Sequence, residues 1–558
     1  MAQAEEKFKK LLGRQSKTLA AAVAEYKKRY NRNPPKGFDE WWKFAQDHDV
    51  LIVDEYDGMI EDLEPFWELS GEEFRRRVEQ VSSLPSIDIV RLRNGEAVAV
   101  NLEKGFEDPE ASARAQGFQE MILSFQHKLP DMDFPINAKA EGRILVPWEH
   151  RHFPNLTLQD SSSAFIIFCA FTPDWHGTGS VWEAFRRTCV PSDPARQLFS
   201  SVRPIMVNQS TVPSLSPLDV TTSAEFTFTP TTNGKYSFCQ NPWAHYTQGH
   251  FFSDWRTIPV LYPVFSPAKS LGFGDIRIPS HYYYGSTPKY TYGWDAVNLI
   301  LKEVDDWEVP WEDKTEKIFW RGATTGGGSS PVGFAPQYQR HRFLKMATDQ
   351  SGANQTIVFA DPPGSSTYVS ASVPAHQLNE DLLDVAFTTS LDFDNYPGGL
   401  EAMVEEYRFD EPVPLGEHWK HKYLIDFDGM GYSARFMALL ASDSAVLKST
   451  VYQEYFSDWI QPWLHYIPVS SSYKEIYNIH AFFSGPSEST LAASVNTSTP
   501  MDRRRSVDGD RRLRRIARAG KHWKRTIGRQ VDMEVYVYRL CLEYARLWSD
   551  NRDSMDYV

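Results

Sequence analysis

Apolar positions recur at helical spacing through the first hundred residues. In GFDEWWKFAQDHDV, Phe38, Trp41, Trp42 and Ala45 share one face, with Gly37 ahead of them. SGEEFRRRVEQV opens on Ser70 as an N-cap, with acidic residues in the first turn. From about Ala111 helical and strand-like segments alternate. AFIIFCAFT and IPVLYPVFS are short runs rich in β-branched and aromatic residues, the pattern of buried strands. Pro204 to Asn233 is rich in Ser, Thr and Pro and reads as a long surface loop.

A second alternating region begins near Tyr292. The helix DAVNLILKEVDDW precedes a strand ending at Ile318-Phe319-Trp320, and TIVFAD, LLDVAFTT, HKYLIDFDG, SAVLKS and HYIPVS follow as strands. Short strands spaced by helices predict an α/β fold with a parallel, Rossmann-like sheet. Ser484 to Asp510 is a polar break. VDMEVYVYRLCLEYARLW then reads as a helix apolar on most faces, which must be buried, and the N-terminal half is its expected partner.

Composition narrows the classes. At 558 residues the chain is long enough for two or three domains. A net charge of −14 argues against nucleic acid as a partner. One local exception is the basic run from Arg503 to Arg529, read as a solvated linker and helix face, with an anion-binding patch as the sharper alternative. The 17 Trp and 26 Tyr suit sugar rings, although core packing is the ordinary fate of such side chains. Among four cysteines no CxxC or Cys/His cluster suggests zinc; Cys189 and Cys239 could pair, and Cys541 reads as a buried thiol. Sequons at Asn155, Asn208, Asn354 and Asn496 favour a secretory lumen. No signal peptide or membrane-length apolar run is present, so the charged amphipathic start is expected to be the stem of a protein whose anchor was removed.

The chemistry concentrates at two strand ends. KIFWRGATTGGGSS carries a glycine-rich turn after its strand, a shape that lets backbone amides approach phosphate, yet no Gly-Lys-Ser/Thr closes it as in a P-loop. In HKYLIDFDGMGYSARFMALLAS, Gly429 and Gly431 turn the chain and Ser433 can cap a helix whose first turn holds Arg435. Arg321 and Arg435 could clamp a diphosphate without a metal through their planar forks; the plainer alternative is that each pairs with a carboxylate. Three DxD pairs, Asp131/Asp133, Asp392/Asp394 and Asp426/Asp428, arise easily among 73 acidic residues, and no obligatory metal is expected.

IFWRGATTGG, YLIDFDGMGYSARF and YFSDWIQPWLHYIPV, in that order, resemble glycosyltransferase family 90, which includes KTEL-type protein O-glucosyltransferases and fungal capsule-associated xylosyltransferases. YKKRYNRNPPKGFDEWWKFAQ and DEYDGMIEDLEPFWELS resemble the fungal branch. The resemblance implies an α/β, GT-B-like pair of Rossmann-type domains facing a central cleft. On that reading residues 1–110 form a helical N-terminal extension, 111–290 the acceptor-side domain, 291–500 the UDP-sugar-binding domain, and 501–558 a basic linker with a C-terminal helix returning to the N-terminal half.

Carried onto this chain, Arg321, Gly322, Ser433 and Arg435 match diphosphate-binding positions; Asp428, Gly429 and Glu454 are further donor-cleft candidates, and His465 falls in a matching motif without a role. The resemblance implies inversion, for which a base must deprotonate the acceptor hydroxyl. The glucosyltransferase branch places an Asp three residues after an Asn; in LPDMDFPINAKAEGRILVPWE that Asn is Asn137 and the matching position is Ala140. Glu141 is the expected base and Asp133 the second candidate. The implied function is transfer of xylose from UDP-xylose to a mannose-containing glycan, with β-1,2 linkage to an α-mannoside, in the Golgi lumen by a type II anchored protein. The alternatives are a UDP-glucose-dependent protein O-glucosyltransferase and a non-catalytic glycan-binding protein.

Overall fold

Two sheets organise the chain in the computed structural model, which describes residues 1–100, 113–153, 181–197, 226–232, 237–242, 248–252, 257–285, 308–328, 333–390, 396–494 and 507–558. The expected strand AFIIFCAFT, the helix DAVNLILKEVDDW, most of the Ser/Thr/Pro loop, Cys169, Asp392/Asp394 and the sequons at Asn155, Asn208 and Asn496 lie outside the described residues.

The first sheet is mixed. Its strands are β1 (Ile87–Arg93), β2 (Glu96–Val100), β3 (Met132–Asn137), β4 (Phe265–Ser266) and, after the separate β5 (Ala268–Ser270), β6 (Ile276–Arg277), in the order β2-β1-β3-β4-β6. β1 pairs antiparallel with β2 and β3, whereas β3, β4 and β6 run parallel. The β1–β2 hairpin falls inside the segment expected to be helical. Its turn is Asn94-Gly95, both at positive φ, the turn that matches the twist of paired strands. IPVLYPVFS also differs from expectation: it is buried, but only β4 and a lone bridge at Ile258 form ladder. Pro259 and Pro263 remove the amide donors a central strand needs.

The second sheet is wholly parallel. It comprises β7 (Thr315–Ala323), β10 (Leu383–Thr389), β11 (His421–Phe427), β12 (Ala445–Ser449) and β14 (Ile467–Pro468). TIVFAD does not join it; β8 (Asn354–Ala360) folds back on β9 (Tyr368–Pro374) as a separate antiparallel hairpin, and the short β13 (Tyr452–Glu454) pairs with β5 across the two halves.

The helix Gln530–Trp548 is buried against the N-terminal half. Trp41 Nε1 donates to the Val535 carbonyl at 3.0 Å, and the Tyr26 hydroxyl donates to Glu543 at 3.0 Å. Arg539 lies fully buried with its guanidinium carbon 4.5–4.8 Å from the ring centroids of Tyr26, Phe38 and Trp41, and pairs with Glu543 at 3.1 Å. The basic run is the amphipathic helix Val507–Thr526. Leu513, Ile516 and Ala517 are buried with the parallel-sheet core, while Arg514 and Arg515 pair with Glu312 and Glu5. Cys189 and Cys239 are disulfide-bonded and Cys541 is a buried thiol. No described helix is long and apolar enough to cross a membrane.

Removing one partner of a buried ion pair strands the other, at a cost of roughly 3 kcal/mol. Arg539→Leu is therefore expected to lower the denaturation midpoint clearly, and Glu543→Leu to lower it as well, because Tyr26 and Arg546 also depend on that carboxylate. A single variant as stable as the parent would show that the pair contributes nothing.

Candidate active site

In chain order the parallel strands are β7, β10, β11, β12 and β14, but in space they run β10-β7-β11-β12-β14. The connection from β7 goes to one side and the next new strand, β11, is added on the other. Loops leaving the carboxyl ends of β7 and β11 therefore diverge and open a crevice, the usual ligand position in such sheets. Both motifs singled out in the sequence, the glycine-rich turn after β7 and the Gly429–Arg435 segment after β11, border it.

Arg435 bridges the two. It precedes the short helix Phe436–Leu440, and its Nη1 donates to the Arg321 carbonyl at 2.5 Å. A Cβ on Gly322 would stand 2.9 Å from Arg435 Nη2 and 2.6 Å from the Trp320 ring, so only glycine admits this guanidinium. Among the described residues no carboxylate lies within ion-pair range of Arg435.

Arg321 is arranged differently. Its fork is occupied by Asp384 at 2.8 Å and Asp410 at 2.9 Å, with its Nη1 donating to the Asp384 carbonyl. The structure thus brings the two arginines together but turns the Arg321 side chain to carboxylates, leaving its carbonyl to hold Arg435. The glycine-rich turn is similarly engaged: Thr324 N donates to the Thr389 carbonyl and Gly328 N to the Phe252 carbonyl.

Two residues that sequence reasoning missed tie the loops together. Gln339 and Arg340 open the helix Gln339–Ala347. Gln339 Nε2 donates to the carbonyls of Gly326 and Gly429, each at 3.0 Å, and its Oε1 accepts from Gly249 N. Arg340 donates to the carbonyls of Ala323 and Asp428, both at 3.0 Å, and to Thr325 Oγ1 at 2.6 Å. The guanidinium carbons of Arg340 and Arg435 lie 5.5 and 5.7 Å from the Trp320 ring centroid. No local pattern marks Gln339 or Arg340, because their partners come from both loops.

Beside these cations lie buried carboxyls. Ser433 donates its hydroxyl to Asp426, which also takes Lys448 Nζ at 2.8 Å. Asp428 accepts from Val451 N at 2.9 Å, but its Oδ1 has no hydrogen-bond partner, and burial raises its carboxyl to about 7. Glu454 is 2% exposed, with Lys448 Nζ 4.0 Å away and no partner for Oε2; burial raises it to about 8 against the pull of that ammonium. Gly429 packs against Arg340, where a Cβ would stand 3.3 Å from Nη2.

Glu141 reaches the same region from the other half. Its carbonyl accepts from Asn137 Nδ2 at 2.6 Å, its Oε1 has no partner, and burial raises its pKa. A Cβ on Gly431 would fall 2.2 Å from the Ala140 carbonyl, so the two loops interlock only because residue 431 is glycine. Tyr452 donates its hydroxyl to the Met430 carbonyl at 3.0 Å, and burial together with the charges of Asp428 and Glu141 pushes that hydroxyl well above its usual range. Asp133 is elsewhere: it stands at the opening end of β3, paired with Arg91 at 3.2 Å and Arg93 at 2.7 Å. His465 accepts from Gln461 N and meets Phe8 edge-on, and burial lowers it to about 3.

Asp131 accepts from Asn94 N. Among the described residues the one grouping of metal-type ligands is Cys189, Asp193 and Cys239, whose two sulfurs are bonded to each other.

The family model "Glycosyl transferase family 90" matches residues 374–484, which include β10, β11, Ser433, Arg435 and Glu454. The chain carries a family 90 glycosyltransferase domain. Relatives extend beyond it. The chain is 25% identical over 301 residues to Protein O-glucosyltransferase 2 of Danio rerio, covering 53% of this chain and 46% of that protein. It is 24% identical over 236 residues to O-glucosyltransferase rumi of Drosophila melanogaster, covering 40% of this chain and 45% of that protein. The chain spans about half the length of these relatives. The β7 motif with Arg321 and Gly322 lies before the matched domain, so the crevice joins family 90 residues to flanking ones.

Glu454 and Asp428 make stability depend on pH. A carboxyl at about 8 when folded and near 4.5 when unfolded carries a proton only in the folded state between those values. Stability therefore falls as pH rises through that window. The thermal midpoint is expected to drop between about pH 4.5 and about pH 8 and to level off above, and Glu454→Gln to flatten the drop. A midpoint that climbs over this range would contradict the assignment.

Proposed function

We propose that this protein is a UDP-sugar-dependent, inverting glycosyltransferase with a GT-B-like arrangement, its two sheets facing each other across the crevice. The observation that carries the reading is Arg435, a guanidinium without a carboxylate partner among the described residues, admitted by Gly322 at the switch point of a parallel sheet. The donor diphosphate lies against Arg435, backed by Arg340; Arg321 supports the site through its carbonyl. No divalent metal is required, because the guanidinium takes the charge of the departing diphosphate.

Glu141 is the proposed base, since Asp133 is already neutralised by two arginines. As the acceptor oxygen bonds to the anomeric carbon, its proton passes to Glu141, the carbon–oxygen bond to phosphate breaks, and UDP leaves. A carboxyl whose pKa burial has raised is suited to take that proton.

The donor we propose is UDP-xylose, with a mannose-containing glycan as acceptor. What supports it is the fungal-branch resemblance of the N-terminal motifs. A second reading, transfer of glucose from UDP-glucose to protein, is favoured by the names of the relatives. The disulfide and the exposed sequon at Asn354 support a lumenal setting in the secretory pathway.

Release of UDP from a panel of nucleotide sugars, with and without an α-mannoside, decides between donors. Acceptor-dependent release from UDP-xylose is expected. Arg435→Ala should weaken UDP binding by at least about tenfold, the usual worth of a charge-assisted contact. Glu141→Gln should leave UDP binding unchanged and reduce turnover by about 10²-fold or more. Normal turnover in Glu141→Gln would remove the base from Glu141.

A further inference from the structure

A second cavity of about 550 Å³ lies beside β12 and β13, walled on its far side by the first helix, Ala2–Gly13. Arg435 and the glycine-rich turn do not line it. Phe8 and Leu11 from the helix face Tyr452, Phe456 and Tyr466 across it. The size is that of a small-molecule site.

Its polar lining argues for a particular ligand. Lys7, Arg14 and Lys448 stand against Glu55, Asp57 and Asp458, while burial keeps Glu454 protonated near neutral pH, so the charges balance. Two of those cations are already committed, Arg14 to Glu55 at 2.6 Å and Lys448 to Asp426 at 2.8 Å. A phosphate would find no surplus positive charge here. A neutral polyol would find hydroxyl acceptors, including the unpartnered Oε2 of the almost fully buried Glu454. Aromatic side chains supply apolar faces for the C–H side of a sugar ring. Tyr452 lines this cavity, and its hydroxyl donates to the Met430 carbonyl in the loop after β11 at 3.0 Å, so an occupant would border the crevice without entering it.

We infer that this cavity is a subsite for a neutral saccharide unit, with Glu454 accepting from its hydroxyls and Phe8 of the first helix packing on its ring. As an acceptor subsite it rests on the glycosyltransferase reading; as a sugar site it does not. It gives the first helix a binding role that family 90 residues alone do not supply.

Saturation-transfer NMR on the full chain with methyl α-mannoside and methyl α-glucoside, with and without saturating UDP, tests it. At least one glycoside is expected to bind with UDP present. Phe8→Ala should weaken that binding by about tenfold, consistent with loss of one ring contact and its buried area, and Glu454→Gln should weaken it by a similar factor. Arg435→Ala should leave it unchanged while weakening UDP. Phe8 is half-buried and meets His465 edge-on at 4.4 Å, so its variant should lose some thermal stability, and UDP binding equal to the parent's is the control that its fold persists. No binding of either glycoside, displacement by UDP, or full binding by Phe8→Ala would overturn the subsite. Glycoside binding without transfer from any donor would keep the subsite and sink the catalytic reading instead.

Discussion

The absence of a side chain at Gly322 is the constraint on which the crevice depends. It lets the Arg435 guanidinium lie across the end of β7 and grip the Arg321 carbonyl. That contact joins the two loops that the strand order forces apart. Gln339 and Arg340 then seal the joint from below, using carbonyls of both loops. Positive charge is held at the switch point by backbone acceptors, which leave it largely uncompensated, whereas the neighbouring Arg321 is neutralised by Asp384 and Asp410. One arginine of the pair is structural support and the other carries the available charge.

Around that charge the protein stores protons. Asp426, Asp428 and Glu454 surround a single Lys448, too little positive charge to ionise all three in a dry interior. Two of the acids consequently hold protons far above their ordinary range. The region is polar without being strongly anionic.

Much of this was legible in the sequence where the determinants are local. The parallel sheet follows from β-branched runs between helices, and the Arg-Gly and Ser-Ala-Arg segments stand out because glycine and arginine seldom sit together at strand ends without a reason. Residues whose function depends on distant partners were not legible. Gln339 and Arg340 look like any helix start, and the second cavity is lined by segments from Lys7 to Tyr466 that no window connects. The β1–β2 hairpin is another kind of miss: Asn94-Gly95 advertised it, but the helical periodicity on its N-terminal side masked the change of period. Arg321 is a further case, a residue conspicuous in sequence whose side chain is taken up by two acids brought in from β10 and beyond.

The buried helix Gln530–Trp548 has a bearing on how the molecule is made. Tyr26 and Glu543 meet across 517 residues, and Trp41 closes on Val535 across 494. The hydrophobic core around Phe38, Trp41 and Tyr56 cannot be completed by its own segment, because a wall of it is synthesised some 494 residues later. The parallel sheet, by contrast, lies within a shorter stretch and can consolidate while that first core is still open. Until the helix Gln530–Trp548 arrives, the aromatic face it covers is open to solvent, the kind of surface through which incomplete chains aggregate.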